Sequence, residues 1–434
     1  LKVHFVGIGG IGLSAIARFL LAKGHRITGS DVKRTKIVED LETLGIKVTV
    51  PHDRHAVEDQ DMLIYSAAVK STNPELKQAR HKGILVITRL EALKLVLSEK
   101  KVYSVCGAHG KSTTTAMLAE IMGSSALIGA ESKAIGANCR VVSQKKIMVF
   151  EADESDGSFL NSNPYCAIVT NAEPEHMEYY DYDTEWFYEC YKEFLLKAQK
   201  RVINAEDEFL GSLDVDAQRL YPSKDIKNIR YELRDGEPAT IFELRNLGEF
   251  SVWGFGEHIA LDASLAILAA LDELSVSEIR ENLKKFKGIK KRFDVLCADG
   301  KLAIIDDYAH HPTEIEVTIK SAKLYAKLGG YEKIIAVWQP HKWSRTLDNL
   351  EHFVRCFEGV DTLVILPVWA VNEEPGELDF ADVFSRYSPI LAQKIKREEN
   401  KVTIISNNSD IMIDSGFLIG FGAGDITYQL RGQK

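Results

Sequence analysis

The sequence predicts an α/β protein of three consecutive units, each built on a largely parallel sheet, and three observations predict it. Short apolar runs alternate with segments of helical period along nearly the whole chain, which is the pattern of strands joined by helical crossovers. Most of those runs end in glycine or in polar residues, and the carboxyl ends of parallel strands are where such sheets place ligands. The chain has 434 residues, 45% apolar and 27% charged. At ~100–200 residues per domain this suggests two to four domains, and the composition excludes disorder and fibrous repeats.

In the first unit, residues 2–7 (KVHFVG) read as a buried strand, 11–23 as a helix rich in small residues and 26–31 (RITGSD) as a second strand. Runs at 46–50, 61–67 and 84–88 continue the alternation up to residue 99. Gly7, Gly9 and Gly12 form G-I-G-G-I-G between the first strand and its helix. Glycines there let the backbone approach a diphosphate, whose charge suits the helix N-terminus. Asp31, ending the next strand, is placed to meet a ribose hydroxyl. The pattern does not separate a dinucleotide from a nucleotide sugar, and a tight turn without a ligand is the bland alternative.

The second unit, 100–289, opens with KVYSVCGAHGKSTTTAMLAEIM at 101–122: strand, glycine turn, helix. Gly107-Ala108-His109-Gly110-Lys111-Ser112 has the chemistry of a phosphate loop. Backbone N–H groups would cradle phosphates, Lys111 would neutralise them and the Ser112 hydroxyl would reach Mg²⁺. Val105 stands where the longer form of this motif has its first glycine, so the loop is of the shorter G-x-x-G-K-[ST] class. Residues 146–155 and 165–176 are further strands with polar ends. The first ends in Glu151, Asp153, Glu154 and Asp156, clustered carboxylates that a cation would neutralise. The second ends in His176, a candidate second metal ligand. The alternatives are a solvated acidic loop and a structural histidine. Residues 206–257 predict short antiparallel strands, and 258–274 a strong helix.

The third unit, 290–434, shows strands at 302–310, 333–341, 362–370, 401–406 and 417–425. DDYAHHPTE (306–314) places two acids, Tyr308 and two histidines at one strand end, and WQPHKWSRT (338–346) adds His341 and Arg345. The arginine fork suits a carboxylate or a phosphate. Arg292 stands at the start of this unit.

Lysine and arginine number 54 against 63 acidic residues, a net charge of −9 without any basic block, which disfavours a nucleic-acid partner. The six cysteines lack C-x-x-C spacing and are expected as free thiols in a reducing compartment. The opening segment has neither signal-peptide order nor an uninterrupted apolar span, so a soluble cytoplasmic protein without membrane insertion is expected.

In order, VGIGGIGLS, GAHGKSTTT, EADESD, TNAEPEHM, FKGIKKRFD, DDYAHHPTE, QPHKWSRT and GAGD resemble the cytoplasmic muramyl ligase family over nearly the whole chain. The resemblance implies a Rossmann-like N-terminal domain for a UDP-sugar (1–99), a central P-loop-type ATPase domain with a parallel sheet (100–289) and a C-terminal Rossmann-like α/β domain closing on ATP and the amino acid (290–434). It implies ATP and Mg²⁺ as cofactors. The implied reaction is ATP-dependent ligation of L-alanine to the lactyl carboxylate of UDP-N-acetylmuramate through an acyl phosphate, in cell-wall precursor synthesis. A ligase recycling murein tripeptide shares several motifs; the serine in EADESD favours L-alanine. A nicotinamide oxidoreductase, suggested by the glycine turn and Asp31, leaves the Lys111 loop unexplained.

By the same resemblance, Gly107, Ala108, His109, Gly110, Lys111, Ser112 and Thr113 meet ATP, with His258, Asp262, Arg292 and Asp306. Ser112, Glu151 and His176 are the implied metal ligands, and Lys111, Glu151, His176 and Arg292 the catalytic set. Gly9, Gly10, Ile11, Asp31, His52, Ser66 and Arg89 fall at the UDP-sugar, and Tyr308, His341 and Arg345 at the amino acid. The chain departs from the family at H-N-x-x-N, which here reads His258-Ile-Ala-Leu-Asp262, leaving Asp262 as an acceptor for the adenine amino group. Phe255-Gly256 replaces the usual P-G, the stretch from Glu206 to His258 is short, and Ser112 replaces threonine.

Overall fold

The computed structural model describes every residue except Glu99, Asp156, Glu175, His176, Asn372, Asn407, Asn408 and Lys434. Two compact units are present. One holds residues 1–229, 242–252 and 257–287, and the other 230–241, 253–256 and 288–434.

The first unit begins with β1 (Lys2–Val6), α1 (Ile11–Ala22), β2 (Arg26–Ser30), α2 (Lys36–Thr43), β3 (Lys47–Thr49), β4 (Met62–Tyr65), α3 (Pro74–His81), β5 (Leu85–Thr88) and α4 (Arg89–Leu97). These strands form a parallel sheet in the order β3-β2-β1-β4-β5. The order reverses at β1, so the ligand crevice of such a sheet lies beyond the ends of β1 and β4. Side chains cap three of the helices: Thr35 caps α2, Asn73 caps α3 ahead of Pro74, and Thr88 forms a capping box with Glu91 on α4. α1 starts at Gly10 without a side-chain cap, and its first amides have no intrahelical acceptor.

The same unit continues with β6 (Lys101–Cys106), α5 (Lys111–Met122), β7 (Ser125–Ser132), β8 (Ala137–Arg140), β9 (Ile147–Glu151), β10 (Cys166–Val169), α6 (Thr184–Lys197), β11 (Lys200–Asn204), α7 (Glu208–Ser212) and β12 (Gln218–Leu220). Their sheet runs β12-β11-β10-β6-β9-β7-β8 and is parallel except for β8. Chain order reverses around β6, and the ends of β6, β9 and β10 lie side by side. One apolar cluster runs from Val3 and Phe5 of the first sheet through Phe150 and Phe159 to Phe194 and Leu210, so both sheets share a core. Asn138 on β8 adds a bond from Nδ2 to the Ile11 carbonyl at 2.7 Å.

After α8 (Pro222–Asp225) come β13 (Ile226–Arg234), β14 (Glu237–Leu244) and β15 (Glu249–Trp253), a three-stranded sheet in that order. The link Asp235-Gly236 has positive φ at both residues, the two-residue turn that joins antiparallel strands. These are the short strands expected within 206–257. α9 (Glu257–Ala270) and α10 (Val276–Leu283) follow, α9 packing on α5.

The second unit contains β16 (Asp294–Ala298), β17 (Leu302–Asp307), α11 (Pro312–Gly329), β18 (Ile334–Trp338), α12 (Trp343–Asp348), α13 (Leu350–Cys356), β19 (Thr362–Ile365), α14 (Phe380–Val383), β20 (Ile390–Glu398), β21 (Lys401–Ser406), β22 (Ile411–Ile413), β23 (Gly416–Phe421) and α15 (Ile426–Leu430). The sheet order is β16-β17-β23-β18-β19-β20-β21-β22, parallel from β17 to β20 and antiparallel at both ends. The apolar-run pattern does not mark β16, β20 or β22. β20 carries lysines, an arginine and an acid between and after its apolar residues, and β16 and β22 are short and mostly half exposed. All six cysteines are free thiols, and among the described residues no helix is long and apolar enough to cross a membrane.

Candidate active site

The glycine turn after β1 is held by its own neighbours. Gly7 has a φ of +84°, and the amides of Gly7 and Ile8 donate to the Ser30 carbonyl at 2.9 and 3.0 Å. The Gly9 amide donates to Asp31 Oδ2 at 2.8 Å and the Gly10 amide to the Gly7 carbonyl at 3.2 Å. Asp31 supports the turn, one carboxylate oxygen taking the Gly9 amide and the other the Lys33 amide. Gly9 and Gly10 spend their N–H groups inside the turn. Helix geometry then leaves the amides of Ile11, Gly12 and Leu13 for an anion.

Arg89 stands at that helix start: a Cβ on Gly12 would lie 3.1 Å from its Nη1. Ser66 follows β4 and abuts Gly7. His52 lies with Nδ1 2.8 Å from Ser30 Oγ. Arg89, Ser66 and the α1 start thus gather at the switch point, with His52 attached through Ser30.

The phosphate loop after β6 is clamped from β10. Thr170 Oγ1 donates to the His109 carbonyl at 2.5 Å, and Asn171 exchanges two bonds with His109, Nδ2 to O at 3.0 Å and N to Oδ1 at 3.1 Å. A Cβ at Gly107 would fall 2.0 Å from Thr170 Oγ1, so the clamp requires glycine there. Thr170 and Asn171 went unmarked as site residues; the signal is T-N directly after an apolar strand. Ala108, Ser112 and Thr113 are half-buried around the loop, and His109 is exposed.

Lys111 Nζ donates to the Gly107 carbonyl at 3.1 Å and to Glu154 Oε1 at 2.9 Å. Burial pulls its pKa down, but Glu154, Asp153 and Glu151 outweigh this and hold it above the ordinary value. The ammonium is charged. Glu154 is almost wholly buried, and burial pushes its carboxyl up despite Lys111.

Glu151 ends β9. Its Oε1 accepts from Ser112 Oγ at 2.9 Å and its Oε2 from the Gly129 amide at 2.6 Å. A Cβ at Gly129 would sit 2.4 Å from Oε1, which marks Gly129 as a third residue the sequence pattern does not single out. Burial raises the Glu151 pKa against the pull of the Gly129 amide and Lys111. His176 lies outside the described residues. Among the described residues no group of three or more His, Cys, Asp or Glu side chains is placed to hold a metal.

His258 is exposed at the start of α9, whereas Asp262, one turn on, is 4% exposed. A Cβ on Gly110 (φ +79°) would lie 2.4 Å from Asp262 Oδ1. Burial pushes this carboxyl well above its usual range. Asp262 therefore lies buried beneath the loop, against Gly110.

In the second unit, Asp306 is held by two side chains from the C-terminal helix region. It is fully buried, and its Oδ2 accepts from Thr427 Oγ1 at 2.6 Å and from Arg431 Nη2 at 2.8 Å. The same Arg431 nitrogen donates to Asp294, the partner of Asp306 across β16–β17. Strand alternation turns Asp307 to the opposite face, where the amides of Phe293 and Ala309 donate to it at 2.7 and 2.8 Å. Burial pushes its carboxyl up to about 6.

The ends of β17 and β18 collect the remaining polar groups. Tyr308 is partly exposed, His310 packs its ring 5.7 Å from that of His341, and Glu314 accepts from the His310 and His311 amides. Arg292 Nη1 lies 3.9 Å from Glu314 Oε1. His341 Nδ1 lies 3.0 Å from Arg345 Nη1. Arginine only donates, so His341 accepts at Nδ1 and carries its proton on Nε2. Burial, then the charge of Arg345, pushes His341 down to about 4. His310, His311 and Glu314 are the members of this group to which the sequence gives no role.

Three family models match in succession: "Mur ligase family, catalytic domain" over residues 2–101, "Mur ligase middle domain" over 105–270 and "Mur ligase, glutamate ligase domain" over 291–416. The chain belongs to the Mur ligase family. It is 56% identical over 432 residues to the UDP-N-acetylmuramate–L-alanine ligase of Campylobacter curvus, covering 99% of each chain. It is 52% identical over 436 residues to the enzyme of that name from Helicobacter pylori strain P12, covering 100% of this chain and 96% of the relative. Among solved structures, the UDP-N-acetylmuramate-alanine ligase of Thermotoga maritima superposes with a TM-score of 0.80 at 26% identity, over 99% of this chain and 97% of the other. A murein peptide ligase from Psychrobacter arcticus shares the fold, with a TM-score of 0.62 at 19% identity over 98% and 96% of the two chains. This Mur ligase is an α/β protein of three domains, and the nicotinamide alternative falls with the family assignment.

Proposed function

We propose that this Mur ligase joins L-alanine to the lactyl carboxylate of UDP-N-acetylmuramate at the expense of ATP, in the cytoplasm, as a step of peptidoglycan precursor synthesis. The observation that carries the reading is the clamped phosphate loop, whose Lys111 and Ser112 already reach the two carboxylates Glu154 and Glu151. Relatives bearing that enzyme name at 52–56% identity favour L-alanine over a tripeptide. The domain limits of this reading are 1–99, 100–289 and 290–434.

A carboxylate does not react with an amine, because oxide is too poor a leaving group. In the proposed reaction, a lactyl oxygen attacks the γ-phosphorus, ADP leaves and an acyl phosphate forms. The alanine amine then attacks the acyl carbon, loses a proton, and inorganic phosphate leaves. Lys111 exchanges Glu154 for phosphate oxygens and neutralises charge as it builds up. The amides of the loop, held open by Gly107 and Gly110, cradle the phosphates. Arg345 holds the alanine carboxylate beside Tyr308 and the neutral His341. The α1 start with Arg89 meets the diphosphate, alongside Ser66 and His52.

Mg²⁺ fits the donors present on the loop side: the Ser112 hydroxyl and the Glu151 carboxylate are hard oxygens 2.9 Å apart next to the phosphate cradle. They would hold the ion with His176, and the ion would supply charge neutralisation at the phosphates.

Heavy-oxygen labelling tests the chemistry. With the UDP-N-acetylmuramate carboxylate labelled, one labelled atom is expected in the released phosphate; with alanine labelled, none. Unlabelled phosphate in the first experiment would refute the acyl-phosphate route.

A further inference from the structure

Glu75 lies in the first turn of α3, two residues beyond the Asn73 cap, and its side chain is fully buried. A buried carboxylate is costly unless donors meet it. Ser30 Oγ donates to its Oε2 at 2.5 Å, the Asp53 amide donates to Oε1 at 2.8 Å, and His4 Nε2 lies 3.2 Å from Oε2. Burial works to raise the Glu75 pKa, but the bonds from His4 and Ser30 outweigh it and hold the carboxyl below its usual range. Ionised Glu75 can only accept.

That fixes the order of protons. Ser30 has one hydroxyl hydrogen, and Glu75 takes it. The Ser30 oxygen, 2.8 Å from His52 Nδ1, can then only accept from the ring, so His52 carries a hydrogen on Nδ1. Nε2 is the remaining polar atom of a ring that is 14% exposed. The backbone carbonyl of the same Ser30 accepts the Gly7 and Ile8 amides of the glycine turn. One residue at the end of β2 therefore joins the turn, His52 and the buried acid.

We propose that Glu75 is a positioning residue for the sugar nucleotide: through Ser30 it locks His52 in the Nδ1–H form, with Nε2 left as an acceptor for a hydroxyl or N–H group of the ligand. This rests on the reading of His52 as a UDP-sugar contact.

The test uses the full-length enzyme, nitrogen NMR of labelled histidine, and steady-state kinetics on His52→Ala, Ser30→Ala and Glu75→Gln. Above about pH 8, where an ordinary imidazole is neutral, His52 is expected as the Nδ1–H tautomer in the wild type and as Nε2–H in the Ser30 and Glu75 variants. All three variants should raise KM for UDP-N-acetylmuramate about fivefold, one hydrogen bond being worth roughly that, with the loss on KM rather than on kcat. Should Glu75→Gln fail to fold, Ser30→Ala, which leaves the other two partners of Glu75 in place, carries the test. An Nε2–H tautomer in the wild type would overturn the proposal. So would a raised KM in His52→Ala alone, which would reduce Glu75 to a structural acid. An unchanged KM in His52→Ala would instead remove His52 from the UDP-sugar site, and the proposal with it.

Discussion

The two glycine turns of the first unit have the same local plan, a buried strand, a glycine-rich corner and a helix without a side-chain cap, yet they are wired differently. After β1, four successive amides are consumed within the first domain by Ser30, Asp31 and Gly7, and the helix cap Gly10 has an ordinary φ of −70°. After β6, the cap Gly110 has a φ of +79°, the loop is pinned by side chains from β10, and Lys111 opens the helix. The first turn presents only helix-start amides with an arginine from α4 alongside. The second carries its own cation in the loop. The first suits an anion that is held, and the second suits phosphates whose charge changes during a reaction.

Removing the cation should separate the two turns most sharply. Lys111→Ala is expected to lower kcat by about 10²–10³-fold, whereas Arg89→Ala should act on KM for the UDP-sugar, by about tenfold. Equal effects of the two on kcat would erase the distinction.

The glycines themselves give the next contrast. Gly107→Ala drives a Cβ to 2.0 Å from Thr170 Oγ1 at a φ of +140°, and the clamp leaves no room to yield. A destabilisation of about 3 kcal/mol is expected in urea titration. Gly9→Ala meets Asp31 Oδ2 at 2.9 Å, an oxygen that can swing away by giving up the Gly9 bond, so about 1 kcal/mol is expected.

Asp31→Ala sharpens the comparison further. If Asp31 only supports the turn, the variant should weaken UDP-sugar binding a few-fold, as loss of one hydrogen bond does, and UDP-sugars with and without the ribose 2′-hydroxyl should suffer alike in a binding titration. A selective loss for the hydroxylated ligand would instead place Asp31 at the ribose.

The smallest effect concerns two histidines used in opposite senses. His52 donates at Nδ1 to Ser30, and His341 accepts at Nδ1 from Arg345. The His341 pKa is depressed to about 4 in the folded state, so the unfolded chain takes a proton first on acidification. The stability it contributes is complete above about pH 6.5 and is lost as pH falls towards about 4. The melting temperature of His341→Gln should therefore fall less steeply than that of the wild type across that window. Parallel curves would place the imidazole in solvent.

The local pattern of residues was enough to identify the strand–turn–helix units, the loop with Lys111 and Ser112, the carboxylate at the end of β9 and two separate polar strand ends, one with Tyr308 and one with His341 and Arg345. Each depends on neighbours within a few positions, because a strand end, a glycine corner and a helix start are made by consecutive residues. Tertiary structure alone decided which acids face what. Asp306 and Asp307 are adjacent, and only the presence of Arg431 and Thr427 more than a hundred positions later makes Asp306 the structural one. Asp31 serves the turn because β2 ends beside Gly9, and Asp262 is buried because α9 sets it against Gly110. The Thr170–Asn171 clamp needs β10 next to β6, and the Glu75–Ser30–His52 chain needs α3 beside the end of β2. A side chain's charge and proton order are set by what surrounds it in three dimensions, and for these residues the surroundings come from distant parts of the chain.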